Sequence, residues 1–502
     1  MQKTFRFISM SALAMMGAIL MGCAESDLAT EAPQLKDNQI KTVTLTIGFD
    51  DSAQTRALTA AGVKTFKAND KLAVVYKNTS GKTVIAKSSP INASDISDDG
   101  KRAKFNVDLD TPDNSKQARL IYPAAMAQAS INTNAETDDD DATINFSKLA
   151  AQDGTLAKLG DNFDLCTYDG ILGNIVLTDV NGTPKLTNRL AIGKFTIKNE
   201  DGGDMTSDVK QLTIIDGSNI YIADRTPAAG PIYVAMRPMS NKDLQLRAIT
   251  SDTPYMKSVS GKSLAANTIY PINVKMDIDI DRCTPLTFEA KENDTSINFW
   301  NFDVKPVKCF TTTTPTSSLE DFQGNITINT KIFLDAGDKI TFYSNNTTFT
   351  MTSGQCNITC DKECYVYGNI MSLTYGLDNS GENISTDFYT ATTLPKDKIY
   401  YQLFYNKYNN PANDYKNNII THPDHSLVLP AATLTENCYR EMFKNCVKLS
   451  AVTCLATDFT ADNCIQDWLN NVAEEGKLYK APVMIGWIPG INIPSGWTVE
   501  TY

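Results

Sequence analysis

Between residues 42 and 49 the chain alternates threonine, and lastly glycine, with apolar side chains: Thr42, Val43, Thr44, Leu45, Thr46, Ile47, Gly48, Phe49. A strand has a side-chain period of two, so the run sets Val43, Leu45 and Ile47 on one face and the threonines on the other. Similar short runs follow at 71–76, 103–109 and 118–123, divided by Asn, Asp, Gly and Pro. Strands this short and half-apolar need a second sheet to cover them. The pattern predicts a mainly β chain of sandwiches rather than α/β units.

Composition narrows the function. The chain has 502 residues and a formal net charge of -12. Nucleic acid and anionic membrane surfaces both attract basic patches, so neither is an expected partner for the body of the chain. The length suits two to four domains.

The N-terminus reads as an export signal. Lys3 and Arg6 precede an apolar run at 8–21, whose fourteen residues fall short of the ~20 a membrane-spanning helix needs. The run ends Leu20-Met21-Gly22-Cys23, which resembles a bacterial lipobox. That resemblance implies cleavage before Cys23, whose thiol then takes acyl chains such as palmitate. Residues 1–22 are then a lipoprotein signal peptide and 23–40 a tether, with the membrane touched through the lipid alone. The alternative is a secretory signal that happens to end in cysteine. Glu25 and Asp27 resemble the acidic signal for surface exposure on the outer membrane of Bacteroidetes lipoproteins.

Further strand-like runs are 190–198, 209–215, 231–236 and 265–274. Taken with a Thr55-Arg56-Ala57 step, the Phe66 to Tyr76 segment and Leu120-Ile121-Tyr122-Pro123, their order is similar to that of the fimbrillin family of Bacteroidetes pilins. The resemblance covers about 40–277. It implies two tandem transthyretin-like β-sandwiches, at 41–185 and 186–277. It also implies protease processing after Arg56, before Ala57. Loss of the strand at 42–49 would open a groove that a neighbouring subunit's strand fills. The alternative is an unprocessed loop.

Residues 276–281 alternate Asp with apolar residues and read as a linker. A β-rich domain is expected at 284–395 and a repeat region with a C-terminal cap at 396–502. Within it Leu429 to Cys438 recurs 26 residues later as Leu455 to Cys464, each copy followed by a similar apolar turn, read as helical. A third, degenerate turn lies at 399–404. A period of 20–29 residues marks a solenoid. Here it resembles the leucine-rich repeat of Bacteroides surface proteins and implies a short α/β solenoid. Its expected core is Leu429, Leu434, Cys438, Phe443, Cys446, Leu455, Cys464 and Leu469.

Ten cysteines remain after Cys23. Those at repeat positions fit a buried core, with zinc or disulfides as alternatives. Cys356-x3-Cys360-x3-Cys364 lacks zinc-ribbon spacing, and a disulfide between Cys356 and Cys364 across a hairpin is expected. His422-Pro423-Asp424-His425 cannot form one face of a helix because of the proline, so it reads as a loop. The run Asp138 to Asp141 reads as a solvated acidic loop rather than a calcium site. No nucleophile–base pair can be assembled; no enzyme activity and no cofactor are expected.

The sequence thus reads as a surface lipoprotein of the outer membrane, a fimbrial tip or accessory subunit with an adhesive role. Other fimbrial subunits and a host or bacterial surface protein or glycan are its expected partners. The alternative is a monomeric lipoprotein that binds glycan or protein without polymerising, with Tyr400, Tyr401, Tyr405, Tyr408 and Tyr415 as sugar-stacking candidates.

Overall fold

The fold is taken from a computed structural model, in which the residues described are 40–49, 65–128, 140–163, 165–177, 182–300, 308–312, 320–322, 330–347, 350–351, 354–406 and 417–502. The chain is mainly β and builds three packed modules.

The first module holds eight strands: β1 (Ile40–Phe49), β2 (Ala73–Lys77), β3 (Thr83–Lys87), β4 (Ile96–Ser97), β5 (Arg102–Asp110), β6 (Gln117–Tyr122), β7 (Cys166–Ile171) and β8 (Lys185–Asn188). They hydrogen-bond in the order β3-β2-β6-β7-β8-β1-β5-β4. The path folds over so that Val43, Leu45 and Ile47 of β1 and Phe105 and Val107 of β5 share one core with Val74, Leu120 and Tyr122. Period-two alternation dictates this: β5 buries every second residue along its whole length.

The opposite face of β2 and β6 is also apolar. Ala73, Val75 and Ile121 pack into the core of the second module. That module pairs a five-stranded sheet with a three-stranded one. In the smaller sheet Ala191–Lys198 lies between an antiparallel neighbour, Ile232–Met236, and a parallel one, Ile269–Lys275. On the β6 face that meets the second module, Arg119 is buried, and its guanidinium donates to Asp169 Oδ1 at 2.6 Å and Oδ2 at 3.1 Å.

The third module begins at Leu286–Ala290 and has one core running from Leu286 to Trp497. Its large sheet starts antiparallel and turns parallel at Cys364–Asn369. The parallel ladder then runs Leu427–Leu429, Ala451–Cys454, Gly476–Lys480 and Trp497–Thr501. One sheet and one core therefore cross the division expected at 395/396, because the last antiparallel strand is also the first rung of the ladder. The second and third modules are joined at Asp279. Its carboxylate accepts from Tyr502 Oη at 2.8 Å, and Arg247 stacks on the Tyr502 ring at 3.9 Å.

Candidate assembly strand and repeat edge

Strand β1 is held very unequally on its two sides. Against β5 it pairs antiparallel over nine consecutive residues, from Ile40 opposite Asp110 to Gly48 opposite Arg102. Against β8 it pairs at Gly48 and Phe49 alone. Its grip on the core comes from Val43, Leu45 and Ile47, all buried. At about 1.5–3 kcal/mol each, these three contribute about 5–9 kcal/mol, an upper bound on the burial share of what keeps the strand in place. The outward threonines add weaker links: Thr42 donates to Asp108 at 2.7 Å and Thr44 to Asn106 at 2.7 Å. At the strand's end Phe49 stacks on Phe66, ring centroids 4.2 Å apart.

The chain then enters 50–64, which holds Arg56 and Ala57 and lies outside the described residues, as do Cys23, the signal segment and the tether. Structurally, β1 is a plug: an apolar strand in a groove, tied along its length to one neighbour.

In the repeat region Leu429, Leu434, Cys438, Phe443, Cys446, Cys464 and Leu469 are buried, whereas Leu455 is half-buried and Ala456 turns inward instead. Tyr439 stacks on Tyr400 and Phe443 on Phe404, so the degenerate turn at 399–404 forms a coil of the same stack.

The turns expected to be helical are not. Residues 398–406, 437–445 and 463–471 form ribbons of consecutive turns with positive φ at every fourth position, as at Asn437 (54°), Glu441 (53°) and Asn445 (65°). Such residues break the i→i−4 ladder of a helix. Alternate N–H groups bond three residues back, as from Met442 to Tyr439, and those between bond the next coil. The spacing of Leu and Cys in the sequence marks the coil but not its handedness of turn.

Cys356 and Cys364 are thiols outside any disulfide, as are the ten described cysteines, which corrects the expected disulfide. The hairpin it assumed is absent. Asn357–Cys360 pairs in the three-stranded sheet, while Cys364–Asn369 belongs to the large one. Cys364 has the Cys360 thiol as its hydrogen-bonding neighbour. Four residues of extended chain carry Cys356 about 13 Å away from Cys360 at ~3.3 Å each, and a disulfide tolerates only ~7 Å between Cα atoms. Burial pushes the Cys356 thiol up to about 12.

Tyr400, a sugar-stacking candidate, is fully buried with its hydroxyl 2.5 Å from Thr374 Oγ1. Tyr401 lies beneath the Arg440 guanidinium. Tyr408 and Tyr415 fall outside the described residues. His422 and His425 sit in a turn, with His422 Nδ1 accepting the N–H groups of Asp424 and His425. Burial and the neighbouring His425 lower the His422 pKa. Among the described residues no three His, Cys, Asp or Glu side chains are grouped to hold a metal, and no helix is long and apolar enough to cross a membrane. The Arg119–Asp169 pair was missed in the sequence, where nothing distinguishes Arg119 from a surface arginine.

No protein-family model matches the sequence, and no curated protein matches it. Among solved structures, a fimbrial assembly protein from Parabacteroides distasonis is similar at 12% identity, covering 47% of this chain and 91% of its own, with a TM-score of 0.25. A proposed cell adhesion protein from Bacteroides eggerthii is similar at 9% identity, 48% and 87% coverage and a TM-score of 0.26. Another from Bacteroides uniformis has 12% identity, 47% and 96% coverage and a TM-score of 0.23. At these scores the likenesses carry no argument for function, which has to come from the residues and their geometry.

Proposed function

We propose that the chain is a non-enzymatic surface lipoprotein, acylated at Cys23, that serves as a fimbrial tip or accessory subunit with an adhesive role. Cleavage between Arg56 and Ala57 frees β1, and a strand from a neighbouring subunit takes its place. The observation that supports this most is the one-sided hold on β1. A strand paired along its length with β5 and only at Gly48 and Phe49 with β8 has a single long ladder to break before it leaves. What it leaves is a groove whose floor carries Phe105, Val107 and Leu109 and whose wall offers β5 main-chain groups. These are the elements of strand addition: main-chain hydrogen bonds for affinity, alternate pockets for specificity. Arg56 is the one arginine between Phe49 and Thr65.

The third module favours an end position. It is fastened to the second through Tyr502, Asp279 and Arg247, and a fastened extra module obstructs a face that a shaft subunit needs for its next neighbour. We read its stacked coils as a short leucine-rich repeat of the Bacteroides surface-protein type, presented outward.

Limited digestion of the full chain with an arginine-specific protease tests the reading. The expected result is an early cut after Arg56, displacement of β1, and then self-association or saturable binding of a synthetic peptide of residues 40–49. A cut chain that keeps β1 and stays monomeric contradicts it, and supports a tethered binding protein instead.

A further inference from the structure

The three turn ribbons are polar in a way strands are not: each has a donor edge and an acceptor edge. N–H groups of Lys398, Tyr400, Gln402, Phe404 and Asn406 donate to carbonyls of the middle coil. From the middle coil, Asn437, Tyr439, Glu441, Phe443 and Asn445 donate in turn to the last, at 2.8–3.0 Å. The corresponding N–H groups of the last coil are those of Asn463, Ile465, Asp467, Leu469 and Asn471. Among the described residues they have no main-chain acceptor.

The reason is a shortfall in chain. The connections between ladder strands run 430–450 and then 455–475, 21 residues each, but the final one, 481–496, has 16. It carries the strand side one rung further and cannot cover the ribbon side. It folds instead as a cap, with Trp487 stacked on Trp468 and the Asn492 carbonyl accepting from Trp468 Nε1 at 2.8 Å. Between cap and ribbon lies an open groove of about 1180 Å³. The cap also exposes large apolar side chains: Ile491, which lines the groove, is 77% exposed, and Ile485 is 92% exposed.

We propose that this edge is a docking site for a segment of another protein, which lies in the groove as a further coil. It accepts from the five N–H groups through its own main-chain carbonyls and covers Ile491 with an apolar side chain. A row of donors repeating every second residue matches the carbonyl repeat of a peptide. A second copy of this chain fits poorly. Two copies related by a two-fold axis would set donors against donors. The acceptor edge at the far end of the stack is engaged in part, Leu403 and Tyr405 accepting from the Ile358 N–H and the Asn357 side chain. A glycan lacks its usual platform, because Trp468 and Trp487 are buried.

The site is remote from β1 and does not depend on cleavage at Arg56, so its failure and the failure of the strand-exchange reading are separately visible. The test selects random displayed peptides on the full chain and follows amide hydrogen exchange with the enriched peptides bound. Exchange is expected to slow at the five amides and not along β1. Ile491→Asp, at an exposed position, is expected to weaken binding at least about tenfold, and Ile465→Pro, which removes one donor, to do the same. The proposal is overturned if no peptide prefers the wild-type chain to Ile491→Asp. It is equally overturned if enriched peptides leave the five amides unprotected, or if a neutral oligosaccharide protects them and peptides do not.

Discussion

Leu45 is the buried centre of β1, and Thr44 beside it faces solvent. Leu45→Ala is expected to cost about 3 kcal/mol and Thr44→Ala under about 1 kcal/mol, read from urea unfolding of the full chain. Equal costs would mean that the strand does not alternate as described. Arg119 and Asp169 differ in kind, because Arg119 is buried and Asp169 is 41% exposed at its side chain. Asp169→Asn removes a carboxylate from a buried guanidinium and is expected to destabilise the fold more than Arg119→Met, which removes the buried charge as well. The reverse order would show that the pair is not held by desolvation. Glu363 accepts from Lys291 and Lys448, at 2.8 Å each, and these ammonium groups draw its carboxyl down to about 2. A carboxyl depressed on folding stabilises the folded state above its unfolded value of 4.5, and that contribution is lost as pH falls from there toward 2. Glu363→Gln should therefore flatten the stability profile in that window. Added salt should do the same in part, since the group is half-exposed and reached by screening ions.

Among elements, legibility divides by periodicity. Strands β1 and β5 could be read because alternation has one cause, a half-buried sheet, and 42–49 and 103–109 fall inside their observed limits. The 26-residue offset of the coils was equally visible. The conformation of their turns was not, since Glu441 at positive φ looks like an ordinary helix former until the neighbouring coil supplies an acceptor for its N–H group. The cysteines misled for a related reason: spacing suggests a hairpin only if both strands share a sheet, and Cys356 and Cys364 flank a crossing between sheets. Their burial has its own consequence. Cys309 and Cys454, like Cys356, have thiols pushed up to about 12. Iodoacetamide at pH 8 should leave the described thiols of the folded chain largely unmodified and alkylate them after unfolding without reductant. A requirement for reductant would reveal a disulfide.

Taken whole, the molecule joins two devices on one scaffold. The first module offers a strand that can leave. The third carries a donor edge that the short 481–496 connection does not cover, and Tyr502 of that module ties back to the second. On the proposed reading, assembly falls to the first module and recognition to the third. This arrangement could be anticipated only coarsely, because the order of strands along the chain does not say which edges remain open.

Assembly by strand exchange requires that β1 be removed in the working protein, and the N-terminus of the chain recovered from the cell surface measures this directly. Mass spectrometry of the intact surface protein should find a chain beginning at Ala57. A chain that begins at acylated Cys23 and still carries residues 42–49 would leave the groove filled and contradict strand exchange.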